Sequence, residues 1–294
     1  RLRESRCVAR YSVTSTAADL RITPISRISN LSVLTHLASA TDAFTLGYVI
    51  GGAGTTGSKA LLVRAAGPSL GALGVAGTQE DPKLETFAGP VRTGENDNWG
   101  GSATLAAAFA GVGAFPYHAP TSRDAAVATT LTAGDNSVKV SAATGGAGQV
   151  LAEVYDAAPD ATFTLATPRL LNVSVLKPIG TGLTVGFTIL GTAPKSVVIR
   201  AIGPALTPFG VADPLADPQL TLFNSASVKI AENDNWGGTA PLTAAFSAVG
   251  AFALPPTSRD AALLVELQPG GYTVQVTGAG STTGTALVEV YEAP

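Results

Sequence analysis

Leu61-Leu-Val-Arg-Ala-Ala-Gly-Pro-Ser-Leu70 returns, 136 residues later, as Val197-Val-Ile-Arg-Ala-Ile-Gly-Pro-Ala-Leu206. Working outward, Glu95-Asn-Asp-Asn-Trp-Gly-Gly101 returns as Glu232-Asn-Asp-Asn-Trp-Gly-Gly238. Thr121-Ser-Arg-Asp-Ala-Ala126 returns as Thr257-Ser-Arg-Asp-Ala-Ala262, and Leu151-Ala-Glu-Val-Tyr155 as Leu287-Val-Glu-Val-Tyr291. Asn30-Leu-Ser-Val33 meets Asn172-Val-Ser-Val175 at a spacing of 142. One unit is therefore written twice. The first copy carries about six additional residues, which the sequence places most simply in a hairpin around Gly51-Gly-Ala-Gly54.

Within the unit the hydrophobic period is two. Tyr272, Val274 and Val276 alternate with Thr273, Gln275 and Thr277, between the turn signals Pro269-Gly-Gly271 and Gly278-Ala-Gly280. Such strands, broken by Gly-rich turns, predict an all-β chain of two tandem antiparallel β-sandwich domains of jelly-roll or Ig-like type. Repeat 1 is read as 27–163 and repeat 2 as 164–294, each long enough to bury its own core. One departure from period two recurs. Leu105, Phe109 and Val112, like Leu242, Phe246 and Val249, follow i, i+4, i+7 spacing and end at Gly113 or Gly250. Each repeat is expected to hold one short α-helix after its tryptophan.

Composition narrows the function. Charged residues are 13% of the 294, net charge is −3, and no run of like charges occurs, which argues against nucleic acid as a partner. No apolar stretch reaches the roughly 20 residues of a membrane-spanning helix, so no membrane insertion is expected. The single Cys7 permits no internal disulfide, and with no methionine anywhere the chain reads as a processed product or a fragment.

The combination of Asn-(Leu/Val)-Ser-Val, Arg-Ala-x-Gly-Pro, Asp-Pro-x-Leu, Asn-Asp-Asn-Trp and a closing Gly271-Tyr-Thr-Val-Gln-Val276 strand resembles a tandem repeat module of secreted bacterial surface proteins. Its second half is loosely similar to pre-peptidase C-terminal domains, where a strand ending in an Asp/Asn-rich turn also precedes a Gly-Tyr-x-Val-x-Val strand. The resemblance implies an extracellular or cell-surface β-sandwich with structural or accessory duties.

Several motifs carry chemistry in principle. Glu95, Asn96, Asp97, Asn98 and their counterparts Glu232, Asn233, Asp234, Asn235 are dense oxygen donors that could hold Ca²⁺, though without EF-hand spacing. The competing reading is an Asx-type turn that caps the following helix. No other cofactor is implied. Arg64, Arg123 and Asp124, with Arg200, Arg259 and Asp260, are charges repeated inside apolar runs and are expected to form structural charge pairs. Gly67-Pro68 and Gly203-Pro204 read as turns with no helix behind them. Trp99 and Trp236 read as core residues rather than sugar platforms, and the sequons at Asn30 and Asn172 fall in strands. His36 and His118 are not repeated, and no hydrolase, zincin or redox motif occurs, so no catalytic reading is supported.

Residues 1–26 belong to neither repeat. Cys7, Ala9, Tyr11 and Val13 alternate with Val8, Arg10, Ser12 and Thr14, the pattern of a strand that must find a sheet edge. The last strand of a preceding module, a strand paired within its own first domain and a strand given to a neighbouring molecule all satisfy that need. In the last case Val8, Tyr11 and Val13 belong to a linking strand that joins copies of the chain head-to-tail. The chain is expected to be a structural subunit of an extracellular assembly. The alternative is a carbohydrate-binding or adhesive accessory module.

Overall fold

The computed structural model describes residues 26–159, 163–180 and 182–294. The linking strand read at Val8, Tyr11 and Val13 lies outside the described residues. The fold is mostly β, a 16-stranded antiparallel sheet system with no helix long and apolar enough to cross a membrane.

Repeat 1 runs β1 (Arg27–Leu37), β2 (Ala43–Gly51), β3 (Ser58–Ala66), α1 (Pro68–Ala72), β4 (Pro82–Ala88), β5 (Val91–Asn96), α2 (Ala103–Gly111), β6 (Ala125–Thr132), β7 (Gly134–Ala142) and β8 (Gly148–Asp156). Repeat 2 follows with β9 (Arg169–Ile179), β10 (Leu183–Leu190), β11 (Lys195–Ile202), a 3-10 turn at Pro204–Phe209, β12 (Pro218–Asn224) and β13 (Lys229–Asn233). It ends with α3 (Ala240–Ala248), β14 (Ala261–Leu267), β15 (Gly270–Gly278) and β16 (Gly284–Glu292). The strand order is the same in both, with a 3-10 turn in place of α1 and one further 3-10 turn, Ala279–Ser281, in repeat 2.

Pairing within repeat 1 runs β1-β8-β3-β6 and β2-β7-β4-β5, and repeat 2 does the same with β9-β16-β11-β14 and β10-β15-β12-β13. The repeats then join strand to strand. β1 pairs with β10, Leu31 opposite Phe187 and Val33 opposite Val185, while β9 pairs with β2, Val173 opposite Tyr48 and Val175 opposite Leu46. Each first strand thus extends a sheet of the other repeat, and the two junctions are related as by a two-fold axis. All eight of these side chains are buried in a central cluster drawn from both repeats. The expectation that each repeat buries its own core is therefore too narrow. Strands with one free edge and an apolar face remove both liabilities by pairing with each other.

The ladders also locate the additional residues of repeat 1. Leu46 pairs Val138 and Val185 pairs Val274, a spacing of 139 on β2 and β10, between 142 on β1 and 136 on β3. Half of the insertion lies in the β1–β2 turn and only half in the hairpin around Gly51. The corrected placement follows from ladder register, which sequence offsets alone do not report.

Both expected helices form. Ser102 caps α2 by accepting from Leu105 N, and Gly113 and Gly250 take φ of +71 after α2 and α3. Ala114 N bonds Phe109 O at 2.9 Å, and Ala251 N bonds Phe246 O at 2.9 Å, the 6→1 closure of a Schellman end. Each helix covers the outer face of a sheet and builds a satellite core. Leu62, Ala66, Trp99, Phe109 and Tyr117 cluster in repeat 1; Val198, Ile202, Trp236 and Phe246 cluster in repeat 2. Both tryptophans are buried, as a core role requires.

Candidate functional site

Among the described residues three groups of polar side chains, buried or half-buried, recur in both repeats. The first sits where the Gly-Pro turn meets the start of β6. Asp124 Oδ1 accepts from Gly67 N at 2.7 Å and Ser69 N at 3.2 Å; Asp260 Oδ1 accepts from Gly203 N at 2.8 Å and Ala205 N at 3.4 Å. The turn reading of Gly67-Pro68 is corrected here, because α1 does follow it, with Pro68 in its first turn. The amides that a phosphate would use are instead taken by an internal carboxylate. Glycine is required at both turns: a Cβ on Gly67 would lie 2.2 Å from Gln79 O, and one on Gly203 would lie 1.9 Å from Leu215 O.

In repeat 1 this site gains further groups. The hydroxyls of Ser69 and Ser122 both donate to Asp124 Oδ2. Ser69 Oγ also accepts from the His118 backbone N–H at 3.0 Å and lies 3.2 Å from His118 Nδ1. Serine, histidine and aspartate therefore meet although no motif announced them. The arrangement is not that of an activated nucleophile. Ser69 gives its proton to the carboxylate rather than to the ring, its oxygen is already engaged, and the residue is buried.

The second group is the repeated arginine. Arg64 and Glu153 are directly opposed on β3 and β8, with Nη1 3.3 Å from Oε2; Arg200 and Glu289 are opposed on β11 and β16, with Nε 3.3 Å from Oε2. Tyr155 and Tyr291 hydroxyls donate to the same carboxylates at 2.6 and 2.7 Å. Phe115 and Tyr117 lie 4.3 and 4.4 Å from the Arg64 guanidinium, and Phe252 lies 4.4 Å from that of Arg200. Burial pushes both glutamate carboxyls above their ordinary value, against the pull of the arginines and tyrosines. Charge pairing is thus present, but the partners are not those implied by adjacency. Arg123 reaches Asp81 at 3.3 Å and Arg259 reaches Asp217 at 3.1 Å, the aspartates of Asp-Pro-x-Leu. Arg123 and Asp124 are neighbours in sequence and face opposite ways, one exposed and one buried.

The Asn-Asp-Asn turns bind backbone. Asn96 Oδ1 accepts from Ala126 N and its Nδ2 donates to Asn98 O; Asn233 makes the same bonds to Ala262 N and Asn235 O. These amides tie β5 to β6 and β13 to β14. That leaves Asp97 and Asp234 as exposed carboxylates beside Glu95 and Glu232, which are engaged with Arg92 and Lys229. No group of three or more His, Cys, Asp or Glu placed to hold a metal occurs among the described residues.

The third group was not singled out in the sequence. At the junction of the repeats, Arg27 Nε and Lys59 Nζ lie 2.9 and 2.5 Å from Asp156 Oδ2. Their counterparts Arg169 Nε and Lys195 Nζ lie 2.7 and 3.1 Å from Glu292 Oε1. Each group borders a cavity at the end of α2 or α3, about 580 Å³ beside Asp156 and about 290 Å³ beside Glu292. The signal was available: Arg, Lys and Asp or Glu recur at 142, 136 and 136 residues, outside the longer matched segments.

No family model matches the chain, and no curated protein does. Among solved structures the chain is similar to procruciferin, an 11S globulin from Brassica napus, at 8% identity over 91% of this chain and 86% of that one, with a TM-score of 0.18. A likeness of that size carries no argument, and function has to be read from the molecule itself.

Proposed function

We propose that the chain is a non-catalytic structural subunit of an extracellular assembly, each repeat a sandwich of two four-stranded sheets, with molecules joined by strand addition. The observation that carries this reading is a pair of equivalent exposed edge strands. Val91 on β5 is 63% exposed, and its counterpart Val228, just before β13, is 55% exposed, with the exposed Ile230 two residues on. Edge strands normally defend themselves against pairing, and apolar side chains on such an edge invite it. Arg92 with Glu85 and Glu95, and Lys229 with Glu232, put both signs of charge beside these side chains, which would fix the register of an incoming strand. The segment Val8 to Thr16, with Tyr11 and Val13, is the strand proposed to come in, from the next molecule head-to-tail.

A carbohydrate-binding role ranks second, because burial of Trp99 and Trp236 removes the two aromatic platforms such a role would use first. Light scattering on the full chain and on a chain lacking residues 1–18 tests the proposal. The full chain should form particles larger than 29.4 kDa, and the truncated chain should remain folded and monomeric. Equal particles from both, or a full chain that stays monomeric in every buffer, would overturn it.

A further inference from the structure

We propose that the cavity beside Arg169 and Lys195 binds a small aromatic carboxylate. Both cations rest on one oxygen of Glu292, whose other oxygen accepts from Ile28 N at 3.4 Å. Two cations against one carboxylate leave one positive charge unmatched. The Arg169 and Lys195 side chains are 20% and 17% exposed, and both line the cavity. The remaining wall is largely apolar, formed by Val49, Leu171 and Val249. A cavity of about 290 Å³ with apolar walls and a few convergent charges has the character of a small-molecule site.

The equivalent place in repeat 1 shows what such a wall accepts. There the side chains of Arg27 and Lys59 are 5% and 0% exposed, and the ring of Phe163 lies 3.9 Å from the Arg27 guanidinium and 5.0 Å from Lys59 Nζ. Phe163 comes from the connection between β8 and β9. Among the described residues no ring stands over Arg169, and one side of its guanidinium is closed by the backbone of Gly52, where a Cβ would lie 2.8 Å from Nη2. An aryl ring in the place of Phe163 gains the cation–π contact, and a carboxylate on that ring balances the unmatched charge.

The test is calorimetric titration of the full chain with phenylacetate, acetate and phenylacetamide. Phenylacetate should bind one to one, with acetate and phenylacetamide each weaker by roughly ten-fold, the scale of one cation–π contact or one charge-assisted bond. Arg169→Gln should weaken phenylacetate by a similar factor. Because that change also disturbs Glu292, Ala248→Trp provides a second variant: Ala248 is exposed at the end of α3, and the larger ring fills the cavity while Arg169, Lys195 and Glu292 all stay in place. Loss of binding in both folded variants supports the site. No saturable binding of phenylacetate, equal binding of acetate or of the amide, or unchanged binding in Ala248→Trp would each overturn it.

Discussion

Asp124 and Asp260 hold the same place in two copies of one unit, yet they are served differently. Asp124 accepts two backbone N–H groups and two serine hydroxyls; Asp260 accepts only the two N–H groups, and its Oδ2 has no partner among the described residues. Part of the difference is a substitution, Ser69 against Ala205. The rest is not. Ser122 and Ser258 are identical, but Ser122 donates to its aspartate whereas Ser258 Oγ accepts from Trp236 Nε1 at 3.2 Å. The backbone frame needs the carboxylate at both sites, while the hydroxyls are additions that one repeat has and the other lacks.

The largest effect should come from removing the carboxylate. Asp124→Ala leaves two amides and two hydroxyls buried without an acceptor and should lower unfolding stability by about 3–5 kcal/mol. Asp260→Ala orphans only the amides and should cost about 2–3 kcal/mol. Denaturant midpoints of the two variants measure the difference, and equal losses would show that the hydroxyls add nothing.

Exchanging the serine sharpens the contrast. Ser69→Ala should cost about 1–2 kcal/mol, and Ala205→Ser should gain about 1 kcal/mol by giving Asp260 Oδ2 a donor. Melting temperatures should move in opposite directions, and a lowered value for Ala205→Ser would show that repeat 2 has no room for the hydroxyl.

The central core offers a smaller version of the same test. Tyr48 Oη is buried without a partner among the described residues, and the equivalent residue of repeat 2 is Phe187. Burial alone pushes the phenol far above its ordinary value. Tyr48→Phe should raise stability by about 1 kcal/mol, since it removes an unsatisfied hydroxyl while keeping the ring.

The smallest effect concerns pH. The Glu153 and Glu289 carboxyls are raised in the fold, so their contribution to stability is present below the unfolded value near 4.5 and is lost as pH rises through the folded value. The stability of Glu289→Gln relative to the parent should therefore improve as pH rises above about 4.5. A flat difference between the two curves across that range would contradict the direction of the shift.

Much of the fold was legible because it is local. Period-two alternation, the spacing of Leu105, Phe109 and Val112, and the stop at Gly113 are properties of a few neighbouring residues, and they form the strands and helix expected of them. The candidate sites were less legible. Arg64 finds Glu153, not Asp124, because ladder register, not sequence adjacency, decides which side chains meet across β3 and β8. Glu153 stood in a quoted repeat, but a glutamate in an alternating strand usually faces water, and only the packing of α2 over that face buries it. The group around Glu292 went unseen because its members come from three separate strands with different offsets between the repeats.

The amino-acid sequence by itself determined the duplication, the all-β character and the position of each helix, since periodicity and turn chemistry act over a dozen residues or fewer. Tertiary structure alone decided that β1 completes a sheet with β10 and β9 with β2, because identical repeats carry identical edges and nothing local says which edge each will take. It also decided what identical residues do: both indole N–H groups donate to a backbone oxygen, Trp99 to Ala119 and Trp236 to Pro255, but that of Trp236 also reaches the Ser258 hydroxyl, and only Ser122 donates to its aspartate.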